Sequence, residues 1–348
     1  MNKQIALSGM GVMMALAATA GAQPPEATQL HFDVNAMRAA VEAFNKVPDT
    51  VGSGKYPALK ETVPSLPNHV IYRPADLTKL GTAKLGVLAW GKGGCAADGA
   101  GARLHLEEIA SHGYLAIASG AILSGPGAPP PSEGAIPPPG APPPMAAAVP
   151  GGAPGTGFHI PPPATKSQLL TDAISWALAE NLRAGSPYYG RINPKWVAVS
   201  GWSCGGLQAL EVASDPRVGT VVIHSSGIFG PGANPIAGMT ITKAALQKLH
   251  TPIIYILGGP SDIAYANGMD DFKNITSVPA FVANVDVGHG GTFMEPNGGL
   301  EASVAVSWLD WQLKGDPIAA RRFVGANCGL CKDPAWKVDS KNLVGGGH

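Results

Sequence analysis

The apolar run Trp196-Val197-Ala198-Val199-Ser200 leads straight into Gly201-Trp202-Ser203-Cys204-Gly205. Helix-compatible residues follow at once, Gly206-Leu207-Gln208-Ala209-Leu210-Glu211-Val212-Ala213. A strand that becomes a helix within five residues leaves no room at the crossing. The two glycines stand where side chains two residues either side of the serine would collide. Such a turn lifts the Ser203 hydroxyl above the sheet. It also aims the next backbone N–H, that of Cys204, at the place where an oxyanion would form. The letters Gly-x-Ser-x-Gly alone are weak in a chain with 46 glycines. A flexible Gly-rich turn would give the same pattern, so the strand and helix around it carry the argument.

Other segments extend the same alternation. His69–Pro74, Lys84–Trp90, Tyr114–Ser119, Lys195–Ser200, Val218–Ser225, Pro252–Leu257 and Ala280–Val287 read as strands. Most are apolar almost throughout, as strands buried on both faces must be. Ala102–Ser111, Lys166–Leu182, Thr242–Leu249 and Leu300–Leu313 read as helices, the first stopped by His112-Gly113. An earlier amphipathic helix is predicted over Val34–Phe44. Strands alternating with helices imply an α/β fold, a mostly parallel sheet with helices on both faces. Ligands bind such sheets at the carboxyl ends of the strands. Gly91, Ser203, Asp262 and His289 each follow a predicted strand at that end.

Two stretches stand apart from this domain, which spans 23–348. Residues 1–22 read as an export signal, with Lys3, an apolar run from Ile5 to Ala18 and the small-residue site Ala20-Gly21-Ala22. The expected location is therefore periplasmic or extracellular. The short, interrupted apolar run argues against a membrane anchor. Residues 121–163 are rich in Pro, Gly and Ala, with Pro-Pro-Pro runs that include Pro129-Pro130-Pro131, Pro137-Pro138-Pro139 and Pro142-Pro143-Pro144, and read as an insert unable to build a core. It is either inert or a flap over the site. Lys+Arg and Asp+Glu number 24 each, and no basic block points to nucleic acid. Four cysteines in an exported chain suggest disulfides, with three possible connectivities. Cys328-Gly329-Leu330-Cys331 lacks a second cysteine or histidine pair for a metal and reads as a local bridge.

A serine hydroxyl becomes a nucleophile when a base takes its proton and an acid orients that base. His289 is the expected base, between the last predicted strand and the final helix. His31, His105, His112, His159, His250 and His348 read as surface, turn or tail residues. His69 opens an early strand. His224 ends the strand after the elbow and reads as lining a pocket. Asp262, just after the Ile-rich strand, is the expected acid, although Asp also caps helices, here ahead of Ile263–Asn267. Asp270, Asp271 and Asp286 are its rivals. The oxyanion donors are expected to be the backbone N–H groups of Cys204 and of Lys92, in the loop after Trp90. The Lys92 side chain itself reads as a solvated loop charge, and Trp202 as packing under the turn.

Gly201-Trp202-Ser203-Cys204-Gly205-Gly206 resembles the elbow of secreted bacterial polyester hydrolases and cutinase-like lipases, in the dienelactone-hydrolase branch of the α/β-hydrolases. So do Ser186-Pro187-Tyr188-Tyr189-Gly190-Arg191-Ile192 and Ile109-Ala110-Ser111-His112-Gly113-Tyr114. The resemblance covers residues 69–315 without the insert. It implies an α/β-hydrolase fold, a Ser203–Asp262–His289 triad, and Lys92 and Cys204 as oxyanion donors. In that fold the strands before Cys95 and Cys204 are neighbours, which implies a Cys95–Cys204 disulfide and leaves Cys328 to pair with Cys331. A buried Cys204 thiol is the alternative. The implied activity is hydrolysis of small or polymeric carboxylic esters, by a monomer without metal or organic cofactor, membrane anchor or nucleic-acid partner. An acyltransferase on the same residues, or a non-catalytic binding protein of the same fold, are the rival readings.

Overall fold

The computed structural model describes residues 42–129 and 162–343. The export signal, most of the Val34–Phe44 helix and the greater part of the Pro-rich tract lie outside them. Residues 42–46 are helical. Nine strands form one sheet: β1 (Ala58–Glu61), β2 (His69–Pro74), β3 (Leu85–Gly91), β4 (Tyr114–Ser119), β5 (Ile192–Trp202), β6 (Thr220–His224), β7 (Ile253–Leu257), β8 (Ala280–Val285) and β9 (Trp336–Lys341). Their order is β1-β2-β4-β3-β5-β6-β7-β8-β9. The six from β3 to β8 are parallel, while β1, β2 and β9 add antiparallel pairings at the margins. The α/β class and the mostly parallel sheet agree with the sequence pattern. All seven predicted strands form.

The helices are α1 (Arg103–Ser111), α2 (Gln168–Leu182), α3 (Cys204–Val212), α4 (Tyr265–Asn274), α5 (Gly299–Lys314), and the short α6 (Pro317–Ala320) and α7 (Gly329–Lys332). The segment Lys243–Lys248, within the helix expected over Thr242–Leu249, is a 3₁₀ turn. Side chains alternate across each strand, so every strand feeds two cores. Ile253, Tyr255 and Leu257 of β7 join Leu170, Ile174 and Leu207 of α2 and α3 on one face. Ile254 and Ile256 join Ile109, Val304 and Trp308 of α1 and α5 on the other. Fully burying each Val, Leu or Ile contributes roughly 1.5–3 kcal/mol, and such burial holds the carboxyl ends of the strands rigid. No helix among the described residues is long and apolar enough to cross a membrane.

The chain leaves β3 for β4 on one side, then returns across it to β5 on the other. The loops after β3 and β5 therefore diverge, and a crevice opens between them at the strand ends. Both margins of the Pro-rich tract are tied to the β3 loop. The Ala121 amide donates to the Ala97 carbonyl at 2.9 Å, and Gly99 donates back to Ala121 at 2.8 Å. Ser124 Oγ donates to Asp98 Oδ2 at 2.7 Å. On the far side, the amides of Ala164 and Thr165 donate to the Cys95 carbonyl. The first residues of the tract are thus hydrogen-bonded to the domain. Replacing 130–161 by a short Gly/Ser linker should leave the melting temperature within a few degrees. Deleting 121–163 should lower it clearly, because the rungs on Ala97, Asp98 and Gly99 go too. Thermal denaturation of the two deletions tests this.

Candidate functional site

Gly201, Gly205 and Gly91 meet backbone to backbone. A Cβ on Gly201 would overlap the Gly205 carbonyl, and one on Gly205 would overlap the Gly91 backbone. This close approach lets β5 turn into α3 at Ser203, which adopts φ 54° and ψ −123°. Positive φ is costly for a residue with a Cβ, on the order of 1–3 kcal/mol, and survives only where surrounding structure fixes it. Here the Ser203 amide donates to the His224 carbonyl at 3.0 Å, and Ser226 Oγ donates to the Ser203 carbonyl at 2.7 Å.

The strained turn presents Ser203 Oγ to the loop after β8. His289 Nε2 lies 2.9 Å from Ser203 Oγ, and His289 Nδ1 lies 2.6 Å from Asp262 Oδ1. Asp262 follows β7 and is buried. Burial raises its pKa, but hydrogen bonds and charge interaction with His289, and the amides of Ala264 and Gly258, hold it on balance below the usual carboxylate range. Those amides donate at 2.8 Å from Ala264 and 3.1 Å from Gly258. An ionised Asp262 makes Nδ1 the protonated nitrogen of the ring and leaves Nε2 to accept from the serine. Asp262 does not cap α4, whose N-cap is Ala264 with no side-chain cap hydrogen bond; its carboxylate is held instead by one amide at the end of β7 and one two residues on from Asp262.

The rival acids have other partners. Asp286 is exposed and accepts from Ser261 Oγ at 3.1 Å. Asp270 and Asp271 pair with Lys243 Nζ at 2.7 and 2.6 Å. Among the described residues, no three His, Cys, Asp or Glu side chains converge as metal ligands do.

The β3 loop and the first turn of α3 are joined by a disulfide, Cys95–Cys204, with Cα atoms 5.2 Å apart. Cys328 and Cys331 form a second. The Cys204 amide opens α3, where backbone N–H groups lack intrahelical partners. The Lys92 amide stands close to Gly205, as a Cβ there would overlap it. The Lys92 side chain is not a solvated charge. It is buried, with Nζ 4.9 Å from the Trp202 ring centroid, and burial lowers its pKa despite the nearby Asp98. Trp202 is buried too, but beside the histidine rather than merely beneath the turn. Its indole Nε1–H donates to the His289 carbonyl at 2.8 Å.

Two histidines are not where the sequence put them. His224 is completely buried, with its ring 4.9 Å from His105 and 5.5 Å from Trp90. His105 is no surface residue, because both faces of α1 are covered. Residues 49–54 lie on its outer side through Glu107, Glu108 and Ser111, and His105 packs inward on Trp90 and Phe293. Burial pushes the His105 imidazole down to about 3 and lowers that of His224 strongly, so both are neutral at ordinary pH. His69 is buried between the Pro67 and Leu169 carbonyls. His112 pairs with Glu108 at 3.1 Å, and His250 is exposed. His31, His159 and His348 lie outside the described residues.

Glu301, which no motif marks, is completely buried under the His289 loop, 3.9 Å from His224 Nδ1. Its Oε2 accepts from the Thr292 amide at 3.4 Å. Burial pushes its pKa up to about 8, against the Thr292 hydrogen bond and with help from Asp262 and Glu295.

The chain matches no protein-family model and no curated protein.

The Cys95–Cys204 bridge closes a separation of 109 residues, whereas Cys328–Cys331 spans 3. Chain-entropy reasoning gives the longer loop the larger effect, about 2–4 kcal/mol. In chemical denaturation, Cys95→Ala/Cys204→Ala should lose about that much, and Cys328→Ala/Cys331→Ala clearly less. Glu301 holds its proton more tightly folded than unfolded. It therefore lowers stability progressively as pH rises from the ordinary carboxyl range to about 8, and by a constant amount above. Glu301→Gln should melt higher than the parent at pH 9, with the gap closing towards pH 5. A pH-independent difference would contradict the assignment.

Proposed function

We propose that this protein is an exported serine esterase of the α/β-hydrolase type. One observation carries the reading: the hydrogen-bonded chain Ser203 Oγ, His289 imidazole, Asp262 carboxylate at the carboxyl ends of β5, β8 and β7. Ser203 attacks an ester carbonyl while His289 Nε2 takes its proton. Asp262 keeps the imidazole in the receptive tautomer and stabilises the imidazolium. The oxyanion is held by the N–H groups of Cys204 and Lys92. His289 returns the proton to the leaving alcohol, and the acyl-enzyme remains on Ser203. Water enters and bonds to the acyl carbon while giving a proton to His289; the bond to Ser203 Oγ then breaks, His289 returns the proton to that oxygen, and the acid leaves. None of these steps requires a metal or an organic cofactor. Two disulfides among the described residues favour an oxidising compartment such as the periplasm or the medium.

The test is a panel of p-nitrophenyl esters with purified protein. Ser203→Ala should lose on the order of 10⁴-fold or more in kcat while its circular dichroism spectrum is unchanged. Asp262→Asn should lose a comparable factor, by presenting the wrong tautomer. Combining Ser203→Ala with His289→Ala should cost little beyond either alone, since the residues act as a unit. Full activity in folded Ser203→Ala overturns the reading.

A further inference from the structure

His289 is bracketed by Gly288, Gly290 and Gly291, with φ of 72° at Gly288 and 57° at Gly291. Glycine has the freest backbone of any residue. A base carried on such a loop needs its main chain fixed from outside. Before it, the amides of Val287 and Gly288 donate to the Gly258 carbonyl at 3.2 and 2.8 Å. At His289 itself the restraint comes from the Trp202 indole N–H, 2.8 Å from the carbonyl oxygen. The Trp202 ring also stands 5.8 Å from the His289 ring and 5.3 Å from Phe293.

The same indole touches the opposite side of the site. A Cβ on Gly93 would overlap its six-membered ring, so the β3 loop lies against it at glycine. The buried Lys92 ammonium sits 4.9 Å from the ring centroid. A desolvated cation on an indole face is attracted by the ring's quadrupole more strongly than an exposed one. Lys92 therefore steadies Trp202 with its side chain while its backbone belongs to the proposed oxyanion site.

We infer that Trp202 is the positioning residue that holds His289 at hydrogen-bonding distance from Ser203, with Lys92 orienting Trp202 in turn. A single indole then couples the proton-transfer side of the site to its oxyanion side. The inference rests on the esterase reading for its kinetic consequence, but not for its structural one.

Trp202→Phe keeps an aromatic ring and deletes the N–H. Misplacing the base by an ångström or less should lower kcat by about 10- to 100-fold, with KM for a small soluble ester unchanged. Lys92→Met should give a smaller fall of the same kind, and Lys92→Arg should restore most of it. Independently of activity, the His289 Nδ1–H proton held on Asp262 should give a low-field NMR resonance in the parent protein. That resonance should broaden or vanish in Trp202→Phe. The Trp202 indole proton of the parent should exchange slowly with solvent. An unchanged kcat in folded Trp202→Phe, or a change confined to KM, overturns the inference; so does an indole proton that exchanges as fast as an exposed one. Should the parent hydrolyse no ester, the function is wrong, and the resonance and exchange measurements still decide the positioning role. Should Trp202→Phe fail to fold, Lys92→Met and the parent's indole exchange decide it.

Discussion

The contact between the Gly91 backbone and the first turn of α3 sets the geometry of everything above it. Where β3 ends, no side chain separates its main chain from Gly205, and Gly201 closes the same crossing from β5. The strained φ of Ser203 is a consequence of that packing. So is the approach of the Lys92 amide to the start of α3. The bridge between Cys95 and Cys204 locks covalently what the glycines allow sterically. Each device alone would leave the turn free to relax. Together they fix a conformation that the serine backbone would not adopt unaided.

That rigidity is asymmetric. Ser203 and the β3 loop are held by sheet, helix and disulfide, whereas His289 stands on a glycine-flanked loop. The histidine depends on side chains from neighbouring elements. Asp262 holds its ring, Trp202 holds its carbonyl, and Glu301 lies under the next turn through Thr292. Division of this kind suits the proposed reaction, in which the attacking oxygen is fixed and the imidazole passes a proton between two oxygens.

The sheet and the three residues of the hydrogen-bonded chain were legible in the sequence because they are local signals. Apolar strands of five to seven residues, a glycine-bounded serine, and polar residues directly after strands need no knowledge of tertiary contacts. What could not be read depends on packing between distant segments. β1 and β9 carry polar and charged residues, and pair only because a neighbouring strand leaves an open edge to fill. The charged side of α1 is covered by residues near Thr50 and Ser53 through Glu107 and Glu108, which lie more than fifty positions away in the chain. His105, on the inner side, is buried against Trp90 and Phe293, and no periodicity within α1 announces it. Lys92 reads from sequence as a solvated charge because its aromatic partner lies 110 positions away in the chain.

Asp262 shows why two roles need not compete. A carboxylate bound only to backbone amides would do nothing for the imidazole, and one that only served a histidine would be left with an uncompensated buried charge. Here Oδ1 accepts from Ala264 and faces His289 Nδ1, while Oδ2 accepts from Gly258. The amides offset the cost of burying the charge, and the charge in turn fixes the imidazole tautomer. Removing the amides would raise the carboxyl pKa towards protonation. A protonated Asp262 would no longer select the Nδ1–H tautomer. The end of β7 therefore acts on Ser203 from across the site, through a backbone that never touches it.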